Sequence, residues 1–149
     1  MTLDFLLASG HHIVLLLLVS VLGGEALLLR QPPSESILRT LGRVDALYGL
    51  SALALLIIGS VRLSAGAKDI SFYSGNPVFW IKIAVFVIIG LISIVPTVRF
   101  IRWKRHFSAT GQLPEAAAWQ STRKLVMVQL HLLPFVAIAA AAMARGIGH

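Results

Sequence analysis

The chain contains no cysteine. That excludes disulfide bridges and any metal site built on thiolates. Charge is also scarce: only 13% of the 149 residues are Asp, Glu, Lys or Arg, roughly half the share found in soluble domains. Acids are scarcer still, six against thirteen Lys and Arg. A length of 149 residues is expected to hold one compact bundle and no second domain, and no internal repeat or low-complexity tract stands out. The first apolar run opens with Asp4 rather than a basic segment and is too long for a cleavable signal. What remains is apolar. Hydrophobic residues make up 57% of the chain, and the mean hydropathy is +0.85. This composition belongs to membrane proteins.

Four apolar runs are long enough to cross a hydrocarbon core, which takes about 20 helical residues. They cover residues 5–29, 44–63, 77–98 and 125–144. Each satisfies its own backbone as a helix, so the expected fold is all-α: one integral membrane four-helix bundle over residues 1–149. Arg30, Arg39 and Arg43 surround the first loop. Arg99, Arg102, Lys104, Arg105, Arg123 and Lys124 surround the third. The second loop and its flanks have Arg62 and Lys68, with Asp69 beside them. Lys and Arg mark the cytoplasmic side, so loops one and three are expected inside and both termini outside. The net charge of +7 then reports topology, and no nucleic-acid partner is expected, since no helix carries a basic face with interleaved aromatics. Trp80 and Trp103 fall at the two ends of the third span, where amphipathic rings settle. Pro114-Glu115 followed by alanines reads as a helix start ahead of the fourth span.

Helical periodicity sorts residues onto faces. Asp45, Gly49, Ala52, Leu56 and Gly59 share a face of the second helix, expected to point inward. Lys82, Ile89, Ser93 and Pro96 share one on the third helix. Lys124, His131 and Ala142 share one on the fourth. In the first helix His11 lies near the face of Glu25 and His12 near that of Gly23, so either histidine can be the inward one. Pro96 and Pro134 free the carbonyls of Ile92 and Leu130. By depth, His11, His12 and Lys82 lie in the outer third, while Tyr48, Gln129 and His131 come near the middle. Glu25, Asp45 and Arg99 lie toward the inner surface. Ionisable groups in a membrane are costly and normally paired. Glu25, Asp45, Tyr48 and Arg99 are accordingly expected to form a polar network, with Arg99 balancing the acids.

The outer layer suggests chemistry. A b-type haem in a bundle takes a neutral imidazole on iron and an apolar slot for the ring. His12 is the expected ligand, His11 the alternative and His131 a more distant opposite ligand. Lys82 is expected to meet a propionate or act as a second ligand. No Ser-His-acid set, His-Glu-x-x-His or phosphate-cradling glycine loop supports hydrolysis. The alanine-rich stretch from Ala137 to Ala142 offers a close-packing surface, and hence a homo-oligomer.

Several segments resemble an uncharacterised family of bacterial inner-membrane proteins, a domain of unknown function. They are Asp45-Ala-Leu-Tyr48-Gly49, Gly59-Ser-Val-Arg62, Phe72-Tyr73-Ser-Gly-Asn76-Pro77, Phe79-Trp80-Ile-Lys82, Ser93-Ile-Val-Pro96-Thr97, Arg102-Trp103 and Met143-Ala-Arg145-Gly146. The resemblance implies a multi-pass protein of the bacterial inner membrane with periplasmic termini. More distantly, His12-Ile13, Gly59 and Trp80-Ile-Lys82 resemble HemJ-type protoporphyrinogen oxidases. That resemblance implies haem b at the histidine and an oxidase activity on a porphyrinogen. The chain departs from that pattern in its second histidine and in Glu25-Ala-Leu-Leu-Leu-Arg30 at the end of the first helix. Two classes follow: a haem-dependent oxidoreductase with a quinone as partner, or a non-enzymatic assembly partner, lipid-binding unit or small permease. In the second class the basic third loop would dock a partner or anionic lipid.

Overall fold

The computed structural model describes residues 3–65 and 70–148. Lys68 and Asp69, counted above in the second loop, lie outside the described residues. Four helices are long and apolar enough to cross a membrane: α1 (Leu3–Leu28), α2 (Glu35–Ala65), α4 (Pro77–Thr110) and α5 (Ala116–Ala144). A short helix, α3 (Ile70–Ser74), precedes α4 and carries no apolar run of its own. The molecule is an all-α membrane four-helix bundle. α1 packs against α2 and α5, and α4 against α5 and α2, so α1 faces α4 only across the diagonal.

Three of these helices outrun their apolar segments at one end. α2 starts nine residues before residue 44, α4 continues twelve beyond residue 98, and α5 starts nine before residue 125. That carries them roughly 13–18 Å past the apolar spans. This end, called here the basic end, holds Arg39, Arg43, Arg102, Lys104, Arg105 and Arg123. The opposite end, called here the terminal end, holds Leu3, Gly148 and α3.

The outward faces are the apolar ones. Leu16 is 68% exposed and Ile13 66%, while Glu25 and Gln129 are each 1% exposed. Lipid solvates leucine as well as a protein core does, so helices in lipid gain most by turning polar and small groups toward one another. The inward seams step by three, four or seven residues. They comprise Leu18, Leu22 and Glu25 on α1, continued by Leu29 just past its end, and Leu41, Asp45, Tyr48 and Leu55 on α2. On α4 they are Ile89, Pro96 and Phe100, and on α5 Trp119, Thr122, Val126, Gln129 and Leu133.

Two of the expected faces are corrected by these seams. On α2, Asp45 and Ala52 do turn inward, but Gly49 and Leu56 face outward, one residue past Tyr48 and Leu55. The Tyr48 hydroxyl donates to Gln129 on α5, and that bond sets the rotation of both helices. On α5, His131 and Lys124 are exposed, because His131 lies two residues, about 200°, around from Gln129. Trp80 is exposed at the start of α4, as its interfacial place requires. Trp103 instead turns into the bundle against Trp119, their ring centroids 5.4 Å apart. Ala137, Ala140 and Ala141 face outward on α5.

Side chains close the helix ends. A helix leaves its last carbonyls without internal partners, and lipid offers none. The buried Trp119 indole N–H reaches from α5 to the carbonyls of Leu29 and Gln31, both at 3.1 Å, and so closes the end of α1. At the other end Asn76 is fully buried and does two jobs. Its Oδ1 accepts from the Val78 N–H at 2.8 Å, capping α4, and its amide donates to the Ile147 carbonyl at 3.1 Å. The C-terminal turn that brings Ile147 there has Gly146 at φ 77 and an Ile147 N–H to Ala142 carbonyl bond, a Schellman ending. Glu115 lies at the N-cap position of α5, one residue after Pro114.

Trp119→Phe keeps an aromatic ring but removes the indole donor, leaving the buried Leu29 carbonyl without it at a cost of about 1–3 kcal/mol. A lower unfolding temperature in detergent is expected, with no change in helix content at 20 °C by circular dichroism. An unchanged unfolding temperature would show that this bond is not needed.

Candidate functional site

The bundle interior holds two polar layers about one span apart. The first, toward the basic end, draws on all four long helices. Glu25 comes from α1 and is fully buried, with Oε1 lacking any hydrogen-bond partner. Asp45 comes from α2, where its Oδ1 accepts from the Thr97 hydroxyl of α4 at 2.9 Å. Tyr48, one turn along α2, donates to the Gln129 side-chain oxygen of α5 at 3.2 Å. The charge of Asp45 reaches Glu25, and both carboxylates act on Tyr48, which also meets Ser93. Contacts elsewhere fix this level: Gly24 of α1 lies opposite Val44 of α2, one residue from each acid.

Arg99 does not join this layer. Its guanidinium donates to the hydroxyls of Ser121 at 2.7 Å and Thr122 at 2.9 Å, on α5. Thr97 faces α2, and a residue two positions on is turned by about 200°, so Arg99 faces the other neighbour. The expected balancing of Glu25 and Asp45 by Arg99 is thus corrected. Among the described residues the one ion pair is Arg39 with Glu35, on the exposed surface of α2. Glu25, Asp45 and Tyr48 do come together, as a carboxylate pair supported by hydroxyls and an amide.

The second layer lies toward the terminal end. There α1 turns His11 inward and leaves His12 on its exposed face. The His11 ring packs beside Gly59 of α2: a Cβ built on that glycine would stand 3.8 Å from His11 Cε1. The charges of Arg62, one turn further along α2, and of Lys82 on α4 both reach His11. The Lys82 ammonium stands 5.1 Å from the centre of the Phe79 ring, a cation–π contact. The Phe79 ring in turn meets Tyr73 in a tilted contact and Trp80 edge-on. His11 Nδ1 and Arg62 Nε are buried without hydrogen-bond partners among the described residues.

The other expected ligands lie elsewhere. His12 holds its Nδ1 2.6 Å from the Ala8 carbonyl of its own helix, and His131 its Nδ1 2.6 Å from Met127. Both rings face away from the bundle axis. Of the two open choices on α1, His11 is the one that turns inward, where the charge of Lys82 reaches it. Arg62, counted from sequence among the flanks of the second loop, belongs to the same layer. Its spacing from Gly59 could have signalled this, since three residues apart on a helix means one face. Among the described residues no group of three or more His, Cys, Asp or Glu side chains could hold a metal ion.

A family described as "Predicted membrane protein (DUF2214)" matches residues 3–148. The chain belongs to this family. Neither curated proteins nor solved structures yielded a match to this DUF2214 protein. It is an integral membrane protein, and the match spans all four long helices and both polar layers.

In this DUF2214 protein the Thr97 hydroxyl donates to Asp45 across the α2–α4 contact. Thr97→Val keeps the shape and removes that donor, at a cost of about 1–3 kcal/mol. Thermal unfolding in detergent should show a lower midpoint, while Ser108→Ala, which removes only an exposed bond to the Lys104 carbonyl, should not. Equal midpoints for Thr97→Val and wild type would show that the bond carries no stability.

Proposed function

We propose that this membrane protein is a b-type haem-binding redox protein whose haem site is the layer of His11, Arg62 and Lys82. One observation carries the reading: an inward imidazole with an unpaired buried nitrogen lies within electrostatic reach of two cationic side chains from two other helices. Those residues fit the group. Haem b presents an iron that takes imidazole and two propionates that take cations. His11 would hold the iron, and Arg62 and Lys82 the propionates. Gly59 keeps side-chain bulk away from the imidazole. His12 and His131, facing outward, are not part of the proposed site. When bound, haem b would supply one-electron transfer. The residues of the chain orient the group, neutralise its carboxylates and exclude water with the surrounding apolar helices. A quinone dissolved in the bilayer is the partner proposed for the electron.

Protein expressed with added haem and purified in detergent should show a Soret band. His11→Ala should abolish it and His12→Ala should leave it intact. Arg62→Gln or Lys82→Gln should weaken haem retention roughly 10- to 100-fold, the worth of a charge-assisted bond. No Soret band in wild type would end the haem reading. A band that survives His11→Ala would move the site.

We also propose a bacterial inner membrane as the setting, with the basic end in the cytoplasm and the termini in the periplasm. The support is the concentration of Lys and Arg at one end, where α2, α4 and α5 project beyond their apolar segments. A thiol label impermeant to membranes should modify Ser71→Cys in whole spheroplasts and reach Thr110→Cys only after lysis. The reverse pattern would invert the orientation. The chain has no cysteine of its own to confuse the result.

A further inference from the structure

The carboxylate pair has an opening that the terminal layer does not share. A groove of about 540 Å³ lies between α2 and α4 at the basic end, lined by Gly42, Phe100, Ile101, Lys104 and Arg105, and Asp45 forms part of its wall. Asp45 thus stands between an open groove and the fully buried Glu25, whose Oε1 has no donor. An unpaired carboxylate oxygen out of water is costly, and a second carboxylate close by adds repulsion. The neighbours do not relieve it. From α2, Glu25 meets Asp45 and Tyr48, and the Tyr48 hydroxyl proton is directed to Gln129. From α4, Thr97 gives its hydroxyl proton to Asp45, and Arg99 is committed to Ser121 and Thr122. From α5 comes the neutral amide of Gln129. The missing element is one donor carrying one positive charge.

We propose that Glu25 and Asp45 together bind one exchangeable proton, drawn from water in the α2–α4 groove and returned to it. On uptake a carboxyl O–H bond forms as a hydronium in the groove becomes water, and release reverses the step. The groove is lined by Lys104 and Arg105, and Asp45 is the acid in its wall. A proton reaches it by hopping through water. The site is separate from the haem layer, lies at the other end of the bundle, and does not depend on haem being bound.

The test is infrared spectroscopy of the full-length protein in phosphatidylcholine vesicles, without haem. Wild type at neutral pH should show the carbonyl stretch of a protonated carboxyl group, moving to lower frequency in D₂O. Glu25→Gln should remove that band, because Asp45 alone faces the groove. Gly42→Leu fills the groove, where an added Cβ meets only the Lys104 stem at 4.0 Å. It should keep the band and slow its deuterium shift about tenfold or more, since water needs room to enter. A folded wild type without the band overturns the proposal, as does a band unchanged in folded Glu25→Gln. Deuterium exchange as fast in Gly42→Leu as in wild type overturns the groove as its route. Should Glu25→Gln fail to fold, the wild-type band and the Gly42→Leu exchange rate still decide the matter.

Discussion

Hydrocarbon cannot hydrogen-bond, and most of this structure follows from that. Every polar group between the two ends of the bundle must find its partner on another helix, on its own helix, or at an open groove. Burial of leucine does not choose the packing faces, because Leu16 and Ile13 are as well solvated by lipid tails as by protein. The choice falls to Tyr48 bonding Gln129, Thr97 bonding Asp45, and Arg99 bonding Ser121 and Thr122. Each bond joins two helices and sets the rotation of both.

The same constraint explains the helix ends. Trp119 and Asn76 are buried at opposite ends of the bundle, and each spends its polar atoms on backbone groups that no water would satisfy. Trp119 ties the end of α1 to α5, and Asn76 ties the start of α4 to the C-terminal turn. The α1–α5 and α4–C-terminus contacts close the ring of four helices where no loop connects them.

The interior separates charge by sign. Acids stand toward the basic end, and a histidine with two cations stands toward the terminal end. Each like-charged layer costs energy that a group of opposite charge would recover. Layers of one sign suit ligands of the other. An anionic cofactor suits the terminal layer, and a proton suits the acid pair beside its groove. Proton exchange and electron transfer at opposite ends of one small bundle would give the protein both halves of a redox step.

Apolar length and charge bias made the fold legible in the sequence: four runs near 20 residues, and Lys and Arg crowded around alternate loops. Pro114-Glu115 likewise marked the start of α5, because a helix start is local chemistry. The residues of the two layers were legible as polar groups in apolar runs, and Glu25, Asp45, Tyr48, His11 and Lys82 were all singled out. Their partners were not. A step of one residue on a helix is a turn of 100°, and periodicity cannot resolve His11 from His12, or Tyr48 from Gly49, at that margin. Arg99 illustrates the point best, since depth put it with the acids while rotation gave it to the hydroxyls of α5. Apolar length alone makes four membrane crossings readable, along with the side chains too polar for lipid. Which of those side chains meet depends on packing, because each helix can turn about its axis without changing its apolar length, and interhelical bonds stop it at one angle.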